Sequence, residues 1–133
     1  GNGVVFANGA SLAGHVEVGD RVTLGGFGLV HQFCRPGQGC FTAMGSCIRQ
    51  DVPPWVMVAG DPAEPHGTNS EGLRRQGFDQ AAQQRLRNAY RLLYKRGLRL
   101  AEALETIEAE AQGDPAIMEF LAFLRASPRG IVR

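Results

Sequence analysis

The feature that most constrains the fold is a hydrophobic position that recurs every six residues through the first half of the chain. The recurring residues are Phe6, Leu12, Val18, Leu24, Val30, Pro36, Thr42 and Ile48. The residue that follows each of the first seven is glycine or alanine with one exception, in the series Ala7, Ala13, Gly19, Gly25, His31, Gly37 and Ala43. An α-helix repeats near 3.6 residues and a simple strand near 2, so this period predicts short strands joined by regular corners.

Three such units would make one turn of a triangular coil, in which residues 18 apart stack on each other. The two ladders predicted in this way are Phe6, Leu24 and Thr42, and Leu12, Val30 and Ile48. The pattern weakens at Pro36 and Thr42 and ends at 51–54, where two prolines cannot donate to a ladder. A β-sandwich with coincidental spacing is the alternative, and the agreement of the small-residue positions argues against it.

The second half of the chain has a different composition. Residues 1–69 hold 13 of the 18 glycines but only 8 of the 27 charged residues. Helices are predicted over about 70–76, from an N-cap at Asp79 to a stop at Gly97, over about 100–112, and from the Asp114 cap and Pro115 onward. We therefore expect repeat coils at 1–54, a connecting loop at 55–69 and a helical domain at 70–133.

Composition excludes several classes of protein. The chain of 133 residues carries 14 Lys and Arg against 13 Asp and Glu, which argues against a general nucleic-acid-binding protein. No run approaches the about 20 apolar residues of a membrane span, and no export signal is present, so we expect no membrane insertion and a cytoplasmic location. Cys34, Cys40 and Cys47 match no zinc spacing and are expected to be free thiols in a reducing compartment. The chain opens without Met inside a repeat already under way, as a piece of a longer protein would.

Several motifs go beyond the general repeat. They are LAGH at 12–15, HQFC at 31–34, QDVPPW at 50–55, NSEGLRRQGF at 69–78, RNAYR at 87–91 and RGIVR at 129–133. Together they resemble the acyl-carrier-protein:UDP-N-acetylglucosamine O-acyltransferases, hexapeptide-repeat enzymes, over essentially the whole chain. The resemblance implies a left-handed parallel β-helix followed by a C-terminal α-helical domain, assembled as a homotrimer with sites between neighbouring subunits. The left hand comes from the resemblance alone, because the general rule for parallel crossovers favours the right hand.

The same resemblance implies a reaction. A 3-hydroxyacyl group passes from acyl carrier protein to the 3-hydroxyl of UDP-N-acetylglucosamine, the first step of lipid A biosynthesis. No metal takes part, and no cofactor beyond the phosphopantetheine of the carrier protein. The family's general base is a histidine that precedes residue 1 of this sequence, and no residue here matches it. This chain alone is therefore expected to be inactive.

The resemblance assigns roles to four residues of the repeat. Gly14 matches the glycine whose backbone N–H faces the thioester oxygen, and His15, His31 and Gln32 match substrate-binding positions. His31 also breaks the small-residue rule of the repeat, which is typical of a functional position. A corner glycine at Gly14 and a structural histidine at His15 remain the alternatives.

Three residues of the second half match the nucleotide-sugar and donor end of the family's site, namely Asn69, Glu71 and Arg75. The alternative is a capped surface helix with Glu71 in its first turn. The family has a second basic residue where Gln76 stands, so contact with the diphosphate or the carrier protein is either weaker here or provided by Arg74.

Two further roles follow from the resemblance. Met44 matches the acyl-chain ruler, which implies a donor of about 10 rather than about 14 carbons, whereas the alternative is a gap-filling core methionine. Arg87, Arg91 and Lys95 fall four apart and, with Arg74, form a candidate docking surface for acidic acyl carrier protein. The alternative for this stripe is a solvated face offset by the acidic helix that follows.

Two other functions stay open. One is a hexapeptide acyltransferase with a different acceptor, and the other is a noncatalytic fragment that binds carrier protein or assembles through its repeat. A metal-dependent hexapeptide enzyme would need a histidine triad, and His15, His31 and His66 lack the one-turn spacing that would form one.

Overall fold

The computed structural model of the chain describes residues 1–6, 9–12, 14, 16, 18–128 and 130–133. Within that part, short strands come first and helices second, as the sequence predicted. The strands are β1 Val5–Phe6, β2 Ser11–Leu12, β3 Thr23–Leu24, β4 Leu29–Val30, β5 Phe41–Thr42, β6 Cys47–Ile48, β7 Val56–Ala59 and β8 Glu64–Thr68. The helices are α1 Ser70–Arg75, α2 Gln80–Tyr94, α3 Leu100–Ala111 and α4 Pro115–Arg125.

Strands that begin 18 residues apart pair in parallel. One sheet contains β1, β3 and β5 side by side, and a second sheet contains β2, β4 and β6. The paired residues are Phe6 with Leu24 and Leu24 with Thr42 in the first sheet, and Leu12 with Val30 and Val30 with Ile48 in the second. Both predicted ladders are therefore confirmed in register. Their inner members are buried, whereas Phe6 and Leu12 on the first two strands are 48% and 36% exposed.

The segment 55–69, predicted to be a connecting loop, instead contains two strands. β7 pairs in parallel with β5, with Met57 opposite Phe41, and β8 returns antiparallel to β7. Proline cannot donate to a ladder, which is why the sequence predicted a stop at Pro53 and Pro54. The chain passes these two residues and resumes pairing at Val56, so the first sheet continues in the order β1-β3-β5-β7-β8. The outer domain bounds, 1–54 and 70–133, stay a prediction.

The helices begin and end close to the predicted residues. Asn69, Asp79 and Asp114 are the N-caps of α1, α2 and α4, and each side chain accepts a backbone N–H of the first turn. Such caps satisfy N–H groups that have no partner inside the helix. Each longer helix is amphipathic, and the buried faces pack into one core that includes Leu86, Leu93, Ile107, Phe120 and Leu121.

Arg35 attaches the helices to the strands. Its Nε donates to Asp51 at 3.2 Å, and its Nη2 donates to the carbonyl oxygens of Phe123 and Ala126 at the end of α4 at 3.2 and 2.8 Å. The guanidinium carbon lies 4.4 Å from the centre of the Phe123 ring. Asp51 also pairs in parallel with Ile131, so the last residues of the chain lie along the repeat.

The thiol prediction is confirmed in part by the structure. Cys34, Cys40 and Cys47 are buried and form no disulfide, and burial raises the pKa of the Cys40 thiol far above its usual range. Their redox compartment stays a prediction. None of the helices formed by the described residues combines the length and apolarity that crossing a bilayer requires.

Candidate functional site

The predicted site residues lie at two places on the chain. Gly14, His31 and Gln32 lie at the corners that follow β2 and β4. Asn69, Glu71 and Arg75 lie at the start of α1 and on its first turns, beside the turn that precedes β5. His15 falls outside the described residues, so its assignment stays a prediction.

At the first place, Gln32 lies over Gly14. A Cβ atom added at Gly14 would stand 2.9 Å from Oε1 and 3.1 Å from Cδ of Gln32. The φ of Gly14 is +37°, a backbone conformation that side chains disfavour. The positive φ therefore favours glycine here, whereas the exposed amide end of Gln32 could move aside. The structure brings these two predicted site residues close together.

His31 contacts a residue that the sequence analysis did not select. Its side chain is exposed, and its Nε2 lies 3.3 Å from Sγ of the buried Cys47. A hydrogen bond to Cys47, together with the carboxylate of Asp61, raises the pKa of Arg49. Residues 18 apart stack, so the repeat already places His31 beside residues 47–49. That spacing is the signal that could have identified Cys47.

The second place is an open groove of about 550 Å³ between the first sheet and α1. Polar, charged and aromatic side chains line both walls of the groove. They are Arg21 and Phe41 on the strand side, and Asn69, Glu71, Arg75 and Gln76 on the helix side. A groove of this size, with several polar groups over an aromatic surface, suits a small-molecule ligand.

Asn69 fixes α1 against the strands. Its Oδ1 accepts the N–H of Gly72 at 3.0 Å, and its Nδ2 donates to the carbonyl of Gly39 at 2.9 Å. The capping interpretation of Asn69 is therefore confirmed. A side-chain amide has two donor hydrogens and two acceptor lone pairs, so Asn69 retains one donor and one acceptor site for a ligand.

Glu71 organises the arginines of α1. Its carboxylate accepts from Nη2 of Arg74 at 2.6 Å and from Nε of Arg75 at 3.1 Å. The hydrogen bond from Arg74 is the main reason that the pKa of Glu71 lies below its usual range. Arg74 faces this carboxylate and is not part of the groove wall, whereas Arg75 and Gln76 are.

Met44 lies at the corner between β5 and β6 and is 74% exposed. It is therefore not a filler of the chain's own core, which was the alternative explanation. The N–H of Gly45 donates to the carbonyl of Gly26 at 2.7 Å, so Gly26, 18 residues before Met44, stacks beside it in the register of the repeat. An exposed, flexible apolar side chain at a corner can contact an apolar ligand.

The predicted docking residues on α2, Arg87 and Arg91, and Lys95 at its C-cap are not part of the core. Arg91 and Lys95 are exposed and form no ion pair with the carboxylates in the part of the chain that the structure describes. Arg87 is half-buried and donates to Gln84. A positive face of this kind attracts acidic surfaces. Among the described residues, no group of three or more His, Cys, Asp or Glu side chains could hold a metal ion.

A family model described as Udp N-acetylglucosamine O-acyltransferase, Domain 2, matches residues 51–132. The chain belongs to the UDP-N-acetylglucosamine O-acyltransferase family. It is 48% identical to the acyl-[acyl-carrier-protein]–UDP-N-acetylglucosamine O-acyltransferase of Thiobacillus denitrificans and 50% identical to that of Alkalilimnicola ehrlichii. Both matches cover all of this chain and 52% of the relative.

A solved structure agrees with this assignment to the acyltransferase family. The crystal structure of the UDP-N-acetylglucosamine O-acyltransferase of Moraxella catarrhalis superimposes with a TM-score of 0.94 at 38% identity. That match covers 99% of this chain and 51% of the other. The chain thus spans about half the length of the acyltransferases that it matches.

Proposed function

We propose that the chain is the C-terminal part of an acyltransferase that moves a 3-hydroxyacyl group from acyl carrier protein to the 3-hydroxyl of UDP-N-acetylglucosamine. This is the first step of lipid A biosynthesis. The observation that carries the proposal is the groove beside α1, which collects Asn69, Glu71 and Arg75 in a chain of this family. The relatives from Thiobacillus and Alkalilimnicola carry names that state the same donor carrier and acceptor.

The proposed architecture is a left-handed parallel β-helix that assembles as a cytoplasmic homotrimer. The parallel register of 18 residues in two sheets supports a continuous coil. The separation of the predicted residues supports the trimer, because Gly14, His31 and Gln32 are on a different corner of the chain from Asn69 and Arg75. A neighbouring subunit would complete each site.

In the proposed reaction, the sugar hydroxyl oxygen attacks the thioester carbonyl carbon while its proton passes to a histidine base. That base belongs to the part of the family's chain that precedes residue 1 of this sequence. The backbone N–H of Gly14 donates to the oxyanion that forms on the carbonyl oxygen. The carbon–sulfur bond then breaks, and the phosphopantetheine sulfur leaves and takes up the proton held by the histidine. In this proposal no metal or further cofactor takes part.

The remaining predicted residues bind the substrates and select the length of the acyl chain. His15, His31 and Gln32 hold the sugar, and Asn69, Glu71 and Arg75 hold the nucleotide. Met44 ends the acyl groove and selects a chain of about 10 carbons. Arg87, Arg91 and Lys95, with Arg74 at the edge of α1, dock the acidic carrier protein.

The test is the acceptor range of a chimera in which the N-terminal half of the Thiobacillus enzyme precedes residue 1. We expect transfer from 3-hydroxyacyl carrier protein to UDP-N-acetylglucosamine and not to simple amines or alcohols. Transfer only to another acceptor would favour a different hexapeptide acyltransferase. A folded trimer that binds carrier protein but transfers to no acceptor would favour the noncatalytic alternative.

A further inference from the structure

We propose that Arg21 is a diphosphate-binding residue of the groove and that it provides the cationic contact that Gln76 cannot. This inference rests on the proposed function, because it assigns a residue to a UDP-sugar in that same groove. It replaces Arg74, which the sequence analysis considered for this contact, with a residue on the opposite wall.

The local backbone directs Arg21 to the groove. Its N–H donates to the carbonyl of Asn2 at 2.7 Å, and its φ of +57° places it in the left-handed region. Its Cγ lies 3.3 Å from the point where a Cβ at Gly3 would stand, so the side chain passes over the backbone of Gly3. Arg21 and Gly3 both line the strand side of the groove.

The charges in the groove favour an anionic ligand. Its lining contains two arginines, Arg21 and Arg75, and one carboxylate, Glu71. Glu71 holds Nε of Arg75 at 3.1 Å, whereas Arg21 forms no ion pair with any carboxylate among the residues that the structure describes. An unpaired guanidinium can bind a phosphate through two parallel hydrogen bonds, which gives both affinity and orientation.

The other two residues considered for the diphosphate contact are less suitable than Arg21. Arg74 is held by Glu71 at 2.6 Å and lies outside the groove lining, and Gln76 lies in the lining but carries no charge. Phe41, on the same wall as Arg21, is 36% exposed and offers an apolar surface to a base or sugar ring. The diphosphate of a nucleotide-sugar would thus lie between Arg21 and Arg75.

The experiment is calorimetric titration of UDP-N-acetylglucosamine into the trimeric chimera in which the N-terminal half of the Thiobacillus enzyme precedes residue 1. We expect Arg21→Gln to weaken binding about tenfold and to make it less sensitive to NaCl. Arg99→Gln, which removes the same charge from a side chain that is 91% exposed at the start of α3, should change affinity less than about twofold. Adding Gln76→Arg to Arg21→Gln should restore most of the lost affinity, because the cation then comes from the other wall.

The outcomes separate the inference from the proposed function. If the unaltered, trimeric chimera binds no UDP-N-acetylglucosamine, the groove is not a nucleotide-sugar site and both assignments fail. If the chimera binds UDP-N-acetylglucosamine and its Arg21→Gln variant binds equally well, the inference alone is overturned. A weakened Arg21→Gln variant with unchanged salt dependence also overturns it, because Arg21 would then act through the fold. Arg21→Lys keeps the charge but not the paired hydrogen bonds. Its affinity for UDP-N-acetylglucosamine should lie between the affinities of the unaltered protein and of Arg21→Gln.

Discussion

Nε2 of His31 lies 3.3 Å from Sγ of Cys47, a contact that joins two successive turns of the repeat. His31 is a proposed sugar-binding residue on an exposed corner, so the buried Cys47 limits the freedom of its ring. Cys47→Ala should raise the KM for UDP-N-acetylglucosamine about threefold in the chimera and leave kcat nearly unchanged, since losing one weak hydrogen bond affects ground-state positioning.

Cys47→Ser is the matched variant, because a hydroxyl can hydrogen-bond to the same ring nitrogen. It should retain a KM close to that of the unaltered chimera. Equal KM values for the alanine, serine and unaltered forms would show that the contact does not position His31.

Met44→Gly should shift donor preference toward longer chains. The exposed side chain is proposed to close the acyl groove, and its removal beside Gly26 lengthens the space. The ratio of kcat/KM for 14-carbon over 10-carbon 3-hydroxyacyl carrier protein should rise by at least about tenfold. Met118→Ala, at an exposed methionine on α4, is the control and should leave the ratio unchanged. An unchanged ratio in Met44→Gly would remove Met44 from the acyl site.

Alanine substitutions at two glycines with the same φ distinguish the cost of steric overlap from the cost of backbone strain. Gly39 and Gly97 both have a φ of +67°, but a Cβ at Gly39 would overlap the ring of the buried Trp55, whereas one at Gly97 would meet nothing within 4 Å. Gly39→Ala should lower the free energy of unfolding by about 3 kcal/mol or more and Gly97→Ala by about 1 kcal/mol. Urea denaturation at fixed protein concentration measures both. Equal losses would mean that the Trp55 ring moves aside at no cost.

Acid should weaken the start of α4. Burial of Asp114 raises its pKa, but the hydrogen bonds from Arg85 and from the N–H groups of Ile117 and Ala116 outweigh burial, so the pKa lies below its usual range. A lowered pKa gives stability that is complete at neutral pH and is lost as pH falls below about 4.

Asp114→Asn tests this directly, because asparagine still caps the helix but carries no charge. It should be about 1 kcal/mol less stable than the unaltered chain near pH 7, and the difference should shrink at about pH 3. Asp79→Asn, at a cap that has no arginine partner among the described residues, should show a smaller difference. A gap between Asp114→Asn and the unaltered chain that does not change with pH would contradict the account.

The strand register and the helix ends could be predicted from the sequence because both have local signals. The six-residue period fixes which residues stack, and the caps at Asp79 and Asp114 fix where helices begin. The strands at Val56–Ala59 and Glu64–Thr68 were missed because Pro53 and Pro54 signal a stop locally. The sheet edge left by β5 can still accept Val56 and its neighbours, a tertiary effect that no local pattern contains.

The helix side of the groove was predicted, but its strand side was not. Asn69, Glu71 and Arg75 stand within seven positions of each other in one motif, so the resemblance found them together. Arg21 and Phe41 reach the groove only because the chain turns and stacks, and neither breaks the repeat. The roles of Gly14, His15, His31, Gln32 and Met44 stay predictions that activity measurements must decide.

The measurement that tests the central claim most directly is the mass of the product that the chimera makes from UDP-N-acetylglucosamine and 10-carbon 3-hydroxyacyl carrier protein. The account predicts a single product that carries one 3-hydroxyacyl group, with NMR of that product placing the group on the 3-oxygen of the sugar. A folded, trimeric chimera that leaves UDP-N-acetylglucosamine unchanged with both 10- and 14-carbon donors would contradict it.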